Sequence, residues 1–268
     1  FWASQFGTIN WAAHGGFCSV NMAAGGLYMT GQSFWEFGDP DWDHAKYFMM
    51  WGVAEDHASN PIKIGLEKLK RRGAKFVAIN PVRTGYQAIA DEWVGIRPGT
   101  DGLLALSFAH VLLKNEQFDW EFLTRYTNAT QLIIDAPGTS QHGLLLRDAE
   151  GELQVWSQTS DSVASWTESS HENDVEAALF GEYTTADGVR VKTVMTQLAE
   201  KYLSDEYAPE NVAATVGVDA QTIERLALEM AHVAFQETIT IDTPWTDWTG
   251  RQHDKFIGRP VAMHAMRG

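Results

Sequence analysis

One cysteine, Cys18, is all that the 268 residues contain. A lone thiol forms no internal disulfide, and it cannot by itself supply the about four ligands of an iron–sulfur cluster. It can stay buried and inert, act as a nucleophile, or place one soft thiolate on a metal that something else also holds. Positive charge is scarce as well: 20 Lys and Arg against 35 Asp and Glu leave a net charge of −15. Binding to nucleic acid or to an anionic membrane surface needs clustered cations, so the charge argues against both as partners, although a few local donors still suit a small anionic ligand. No apolar run reaches the roughly 20 residues of a membrane-spanning helix. The three spaced glycines of the dinucleotide fingerprint are missing, which argues against an ordinary NAD site. There is no internal repeat and no low-complexity tract. The chain opens at Phe1 without a methionine and stops at Gly268 after an apolar run with no cap. It is expected to be an internal piece of a longer polypeptide, so the lack of a targeting segment says little about its compartment.

What is present suits a well-packed α/β protein. Hydrophobic residues make up 44% of the chain, and 11 of them are Trp, which suits a deep ligand cleft or simply a large core. Residues 1–36 are rich in Gly, Ala and aromatics, a composition that allows close backbone approach to a ligand or tight packing. Lys46–Gly52 reads as a buried strand ending at a glycine. Pro61–Gly73 reads as an amphipathic helix with Asn60 as N-cap, Pro61 at its first position, cations in its last turns and Gly73 as its stop. Lys75–Asn80 reads as a second buried strand, which completes a parallel, right-handed βαβ unit. A short helix near Tyr86–Glu92, a strand at Trp93–Ile96 and helices at Leu103–Lys114 and 118–127 follow. Residues 131–192 read as a β-hairpin excursion on the surface, with strands at Leu144–Arg147 and Leu153–Trp156 and a mobile polar loop over Ser157–Asp174. Helices are expected at Val194–Leu203 and Gln221–Phe235, the second capped by Asp219; a strand at Glu237–Ile241 leads into a Trp-rich loop, Asp242–Asp254.

Three loops carry candidate chemistry. Trp51, Gly52, Val53, Ala54, Glu55, Asp56, His57 and, further on, Asn60 run from the end of the first strand into a helix N-terminus, where open parallel sheets bind ligands and free N–H groups suit phosphate. Glu55, Asp56 and His57 also carry metal-ligating groups, but neighbours on one loop rarely converge on one ion. Asn80, Pro81, Val82, Arg83 and Thr84 follow the second strand, where NAD enzymes place an acidic residue for the ribose; here Asn80 stands with Arg83 nearby to pair with phosphate, or the segment is a plain turn. Pro98, Gly99, Thr100 and Asp101 open the next helix. Both oxygens of Asp101 can accept N–H bonds from a guanine edge, and the same residues also make an ordinary helix start.

In this order and spacing, with Cys18 upstream in His14-Gly-Gly-Phe-Cys-Ser19, the three motifs resemble the molybdopterin oxidoreductase superfamily of the dimethyl-sulfoxide-reductase type. The resemblance extends over essentially the whole chain and is strongest in residues 1–115. It implies a Rossmann-like parallel sheet with helices on both faces, plus the β-hairpin excursion and the start of a neighbouring α/β domain. The implied division is residues 1–235 for the domain that binds molybdopterin guanine dinucleotide and residues 236–268 for the start of the neighbour. It also implies a molybdenum or tungsten ion held by two molybdopterin guanine dinucleotides and by Cys18, with the three loops cradling one nucleotide. A 4Fe-4S cluster is implied in an N-terminal segment that this sequence does not include. The implied partners are a small inorganic substrate, a membrane-anchor subunit, and an iron–sulfur electron-transfer subunit.

Within the superfamily, the sequence around Phe17–Met22 and the excursion are most similar to the branch acting on sulfur oxyanions: sulfite, thiosulfate or polysulfide. Nitrate reductase and formate dehydrogenase are the alternatives, the latter disfavoured because Ser19 rather than His follows the cysteine. A metal-free structural relative is a further alternative, disfavoured by the retained Cys18. His14 is read as a donor to substrate or pterin, or as a structural histidine. Arg251 and His253 are read as oxyanion binders in an entry funnel, or as part of an interface loop. The resemblance leans toward a cytoplasmic location, with the periplasm as the alternative, and toward inactivity of the isolated piece.

Overall fold

A computed structural model describes residues 2–10, 19–32, 40–53, 62–83, 85–166, 176–247 and 250–265. The chain divides into two compact units, Phe1–Ile96 with Pro260–Gly268, and Arg97–Arg259. No helix of the described residues is long and apolar enough to cross a membrane.

The first unit is built on a parallel sheet. After the short helix α1 (Trp2–Phe6) and α2 (Ser19–Thr30) come β1 (Tyr47–Trp51), α3 (Ile62–Arg71), β2 (Lys75–Ile79), a 3-10 turn (Gly85–Ala88) and β3 (Glu92–Val94). The sheet order is β13-β1-β2-β3, where β13 (Val261–Ala265) is the last strand among the described residues. Every pairing in this sheet is parallel, with Phe48 opposite Phe76 and Ala262. Strands in such sheets are buried on both faces, which is why Tyr-Phe-Met-Met-Trp and, after Lys75, Phe-Val-Ala-Ile read as unbroken apolar runs. Phe48, Met50, Phe76 and Ala78 pack on Ile62, Leu66 and Leu69 of α3, whose spacing puts them on one helical face. Tyr47, Met49, Val77 and Ile79, on the other face, are buried too.

The βαβ unit expected from residues 46–80 is therefore present, and α3 stops where the sequence says it should. Gly73 takes φ +76°, its N–H donates to the Lys70 carbonyl at 3.1 Å, and the Ala74 N–H donates to the Leu69 carbonyl at 3.1 Å. These are the two bonds of a Schellman cap. The expected cap residues Asn60 and Pro61 lie outside the described residues. The expected helix at 86–92 is a single 3-10 turn, because Asp91 is drawn into the sheet edge, exchanging bonds with Phe76 in both directions. Val261–Ala265, which the sequence reading groups with a neighbouring domain, pairs with β1.

The second unit combines helices and antiparallel strands. The helices are α4 (Asp101–Lys114), α5 (Trp120–Tyr126), α6 (Val194–Tyr202), α7 (Pro209–Val216) and α8 (Ala220–Gln236). Asp219 caps α8 as the sequence indicates, accepting from the Thr222 N–H at 2.8 Å. Residues 131–192 form a three-stranded sheet of β4 (Leu132–Ile134), β8 (Arg190–Thr193) and β7 (Glu182–Thr184), and a hairpin of β5 (Gln154–Ser157) and β6 (Ser162–Ser165). They enclose a small core of Leu132, Trp156, Ala178 and Val191. Two sequence expectations change here. Leu144–Arg147 contributes only isolated bridges, and Ser162–Ser165, expected to be loop, pairs as a strand because Val163 opposes Trp156 and packs on that core. The expected strand at 237–241 is β9 (Ile239–Ile241), and it pairs with β12 (Phe256–Gly258).

Three aspartates are held below the usual carboxylate range. At Asp91 burial opposes ionisation, but bonds from Lys70 and the Phe76 N–H outweigh it. Asp119 is lowered chiefly by the Phe122 N–H that it caps, against the opposing effect of burial and with help from Arg259. Asp219 is lowered by its bonds from Thr222. Groups with depressed folded pKa contribute stability above their unfolded values, near pH 4, and lose it as pH falls through the folded ones. Denaturant titrations should thus show stability falling below about pH 4, and Asp91→Asn and Asp119→Asn should each flatten that fall. A pH-independent midpoint between about pH 5 and pH 3 would contradict this assignment.

Candidate functional site

The first residues of the sequence-predicted loops after β1 and β2, Gly52 and Val53 with Asn80, meet at the carboxyl edge of the parallel sheet. The Gly52 N–H donates to the Ile79 carbonyl at 2.9 Å, after which the chain turns away at φ +65°. Among the described residues nothing lies within 4 Å of a side chain built at this glycine, so what it requires there is the left-handed backbone. Trp51 is half-buried and Val53 fully buried. Ala54, Glu55, Asp56, His57 and Asn60 lie outside the described residues.

Asn80 ties the two strand ends together. Its N–H donates to the Val94 carbonyl at 3.1 Å, its Oδ1 accepts from the Val82 N–H at 3.1 Å, and its Nδ2 donates to the Val53 carbonyl at 3.4 Å. Its own carbonyl accepts from Trp93 Nε1 at 2.9 Å. The bond to Val82 is an Asx turn, which shapes the loop without any ligand. Asn80, standing where NAD enzymes place an acidic residue, is 8% exposed, and its side chain is spent chiefly on the fold. What the loop presents outward is Pro81, Val82 and Arg83, all exposed, with the Arg83 guanidinium 5.9 Å above the Trp93 ring. Thr84 lies outside the described residues. Trp93 escapes sequence reasoning because it reads as an ordinary strand residue.

Within the second unit, Arg97-Pro98-Gly99-Thr100 makes a tight turn into α4. Pro98 precedes Gly99 at φ +80°, and the Thr100 N–H donates to the Arg97 carbonyl at 3.3 Å, the pattern of a type II turn. Thr100 Oγ1 donates back to the Arg97 carbonyl at 2.7 Å, and no side chain caps the helix. Among the described residues, the first turn of α4 therefore has no N-cap side-chain bond to its N–H groups, which lie beside Asp101.

Arg251 and His253 lie on a small hairpin of β10 (Trp245–Thr246) and β11 (Gln252–His253). Asp247 organises it. One carboxylate oxygen accepts from the Arg251 N–H at 3.0 Å, and the other lies 2.9 Å from His253 Nε2. The Trp245 ring stacks on His253 with centroids 4.5 Å apart. The imidazole is thus oriented by a carboxylate and an indole, while the Arg251 side chain stays exposed. The sequence reading names Arg251 and His253 as candidates but gives no role to Asp247, whose contacts depend on the turn of this hairpin.

Cys18 and His14 lie outside the described residues; α2 begins one residue after the cysteine. Among the described residues no group of three or more His, Cys, Asp and Glu side chains is placed to hold a metal ion. Within the first unit, an exposed guanidinium at a parallel-sheet edge is a group that suits phosphate; within the second unit, a helix start without a side-chain cap, beside a carboxylate, offers N–H donors and two acceptor oxygens.

Comparison with known proteins gives the same direction. Residues 3–142, more than half of the chain, match the family model described as molybdopterin oxidoreductase. The chain is 47% identical to a sulfite dehydrogenase subunit of Allochromatium vinosum over 99% of its own length, which is 28% of that protein. It is 27% identical to the alpha subunit of Dechloromonas aromatica perchlorate reductase, across 71% of this chain and 24% of that one. The molybdopterin-containing subunit of Salmonella typhimurium thiosulfate reductase is 29% identical, across 50% of this chain and 17% of that one. The chain therefore spans less than a third of the length of the relatives it matches. Matched over most of its sheet-forming unit and carrying the loops at that sheet's edge, it belongs to the molybdopterin oxidoreductase family.

Proposed function

We propose that the chain holds the guanine nucleotide end of a bis(molybdopterin guanine dinucleotide) cofactor in an oxidoreductase acting on a sulfur oxyanion, with sulfite the foremost substrate. Membership of the family implies a molybdenum–molybdopterin cofactor. The observation that carries the substrate class is the 47% identity, over nearly the whole chain, to a sulfite dehydrogenase subunit. When bound, the metal–pterin group supplies the two-electron redox chemistry. Oxidation of sulfite to sulfate takes one oxygen from water and releases two protons and two electrons, and an iron–sulfur subunit is the proposed acceptor of those electrons, with a membrane-anchor subunit beyond it.

The residues of the chain divide the remaining work. Cys18 supplies one soft thiolate ligand, a role that no other residue of this sequence can take in that form. Gly52 turns the loop after β1 out of the sheet. Arg83 offers a planar set of donors that matches phosphate oxygens. Asp101 accepts from a guanine edge with both carboxylate oxygens, which an adenine cannot satisfy in the same way. His14 would donate to substrate or pterin. Arg251 adds an exposed cation, and His253 a ring oriented by Asp247, for an incoming oxyanion.

Two experiments test this reading. The full-length parent protein, purified natively and assayed with sulfite, thiosulfate, nitrate and formate, should turn over sulfite with an artificial electron acceptor; turnover of nitrate or formate alone would overturn the substrate class. In protein made without the cofactor, Asp101→Asn should weaken GDP binding about tenfold or more, the scale of a hydrogen bond to a charged group, and leave ADP binding unchanged. Equal losses for both nucleotides would remove Asp101 from base recognition.

A further inference from the structure

The indole of Trp93 is fixed on three sides. Its Nε1 donates to the Asn80 carbonyl at 2.9 Å, which anchors the first residue of the loop after β2. Its ring lies over Gly95, where a Cβ would meet the indole at 2.9 and 3.0 Å, so the backbone at that position leaves room for the ring and for nothing else. Its face carries the Arg83 guanidinium at 5.9 Å, within the range of a cation–π contact. Strand pairing sets the base of this arrangement, because Trp93 stands opposite Ala78 in the β2–β3 register, two residues before Asn80.

An exposed arginine has many rotamers, and restricting them before a ligand arrives removes part of the entropy cost of binding. Both ends of the Asn80–Arg83 loop touch the same side chain, one through the indole N–H and the other through the ring face. From this we infer that Trp93 is a positioning residue for nucleotide binding: it holds the loop after β2 and pre-orients Arg83 toward the phosphates of the bound nucleotide. The inference rests on the nucleotide reading of this sheet edge. It assigns to Trp93 no contact with the base or with the reacting atoms.

The test uses cofactor-free protein and two probes, GDP and guanosine, titrated calorimetrically with Arg83→Ala, Trp93→Leu, Trp93→Phe and the Arg83→Ala/Trp93→Leu double variant. Arg83→Ala should weaken GDP binding about tenfold and leave guanosine binding unchanged. Trp93→Leu should weaken GDP binding about fivefold, again without affecting guanosine. Trp93→Phe keeps an aromatic face and loses only the N–H, so it should lie between wild type and Trp93→Leu; it also serves if the leucine variant fails to fold. The double variant should bind GDP no worse than Arg83→Ala alone. Equal loss of GDP and guanosine binding in both Trp93 variants, or additive losses in the double variant, would mean a general structural role and overturn the proposal. Weakened GDP binding in Arg83→Ala with none in either Trp93 variant would overturn it while leaving the nucleotide reading intact. No effect of Arg83→Ala would instead overturn the reading on which it rests.

Discussion

Cys18→Ala should reduce turnover of the natively purified protein to the level of its metal-free form, with guanine nucleotide still released on denaturation. The expectation follows from how little thiol the chain has. Its single cysteine offers one thiolate, too few for a cluster or a disulfide and enough for one bond to a metal that a cofactor already holds. Losing an outer-shell partner of a metal ligand typically costs about 10–100-fold in metal affinity or activity; losing the ligand itself should cost more. Cys18→Ser sharpens the test, because a hydroxyl is a harder, less electron-rich donor of similar size, and a serine variant with low but measurable turnover is the expected outcome. Nucleotide release and the urea midpoint separate loss of the ligand from loss of the fold. Full turnover in Cys18→Ala would return the residue to the class of buried, inert cysteines.

Gly65→Ala should destabilise the first unit, although helix propensity alone gives the opposite sign. In an exposed helix interior the change gains roughly 1 kcal/mol. Here a Cβ at residue 65 would lie 2.3 and 2.4 Å from the fused-ring carbons of Trp42, a separation that real contacts do not reach. The indole has little freedom to retreat: it packs against Phe48 with ring centroids 5.2 Å apart, and the Arg72 guanidinium holds the Trp42 carbonyl at 2.7 Å. Overpacking costs about 1–3 kcal/mol, and a clash this close belongs at the upper end of that range, so it should outweigh the propensity gain and leave a net loss of up to about 2 kcal/mol. Denaturant titration reads the sign directly. In a Trp42→Leu background the same substitution should become neutral or stabilising; destabilisation by the same amount in both backgrounds would show that Trp42 is not the cause.

The βαβ unit was legible because its signals are local and strong: two unbroken apolar runs, an amphipathic stripe between them and a glycine where the helix must stop. Pairing across long sequence separations was not. Val261–Ala265 is a short, weakly apolar run, and nothing in it says that its partner is Tyr47–Trp51, some two hundred residues earlier. Helix α7 also went unread, although Pro209 at its first position and Gly217 at φ +83° mark both ends. At the site, sequence order pointed to the loop after β2, since ligand loops follow parallel strands. It could not show that Asn80 turns its amide inward, that Trp93 supports the loop from the next strand, or that Asp247 closes on His253, because each depends on the direction of a side chain.

The central claim is that this chain holds a molybdenum centre through its guanine nucleotide. The most direct test is on the full-length parent protein, purified natively: molybdenum by plasma mass spectrometry, and guanine nucleotide released on denaturation. The account predicts one molybdenum and two guanine nucleotides per protein molecule, the stoichiometry of a bis(molybdopterin guanine dinucleotide) centre. Protein from a host that makes the cofactor, carrying neither metal nor guanine nucleotide, would contradict it and leave a structural α/β protein.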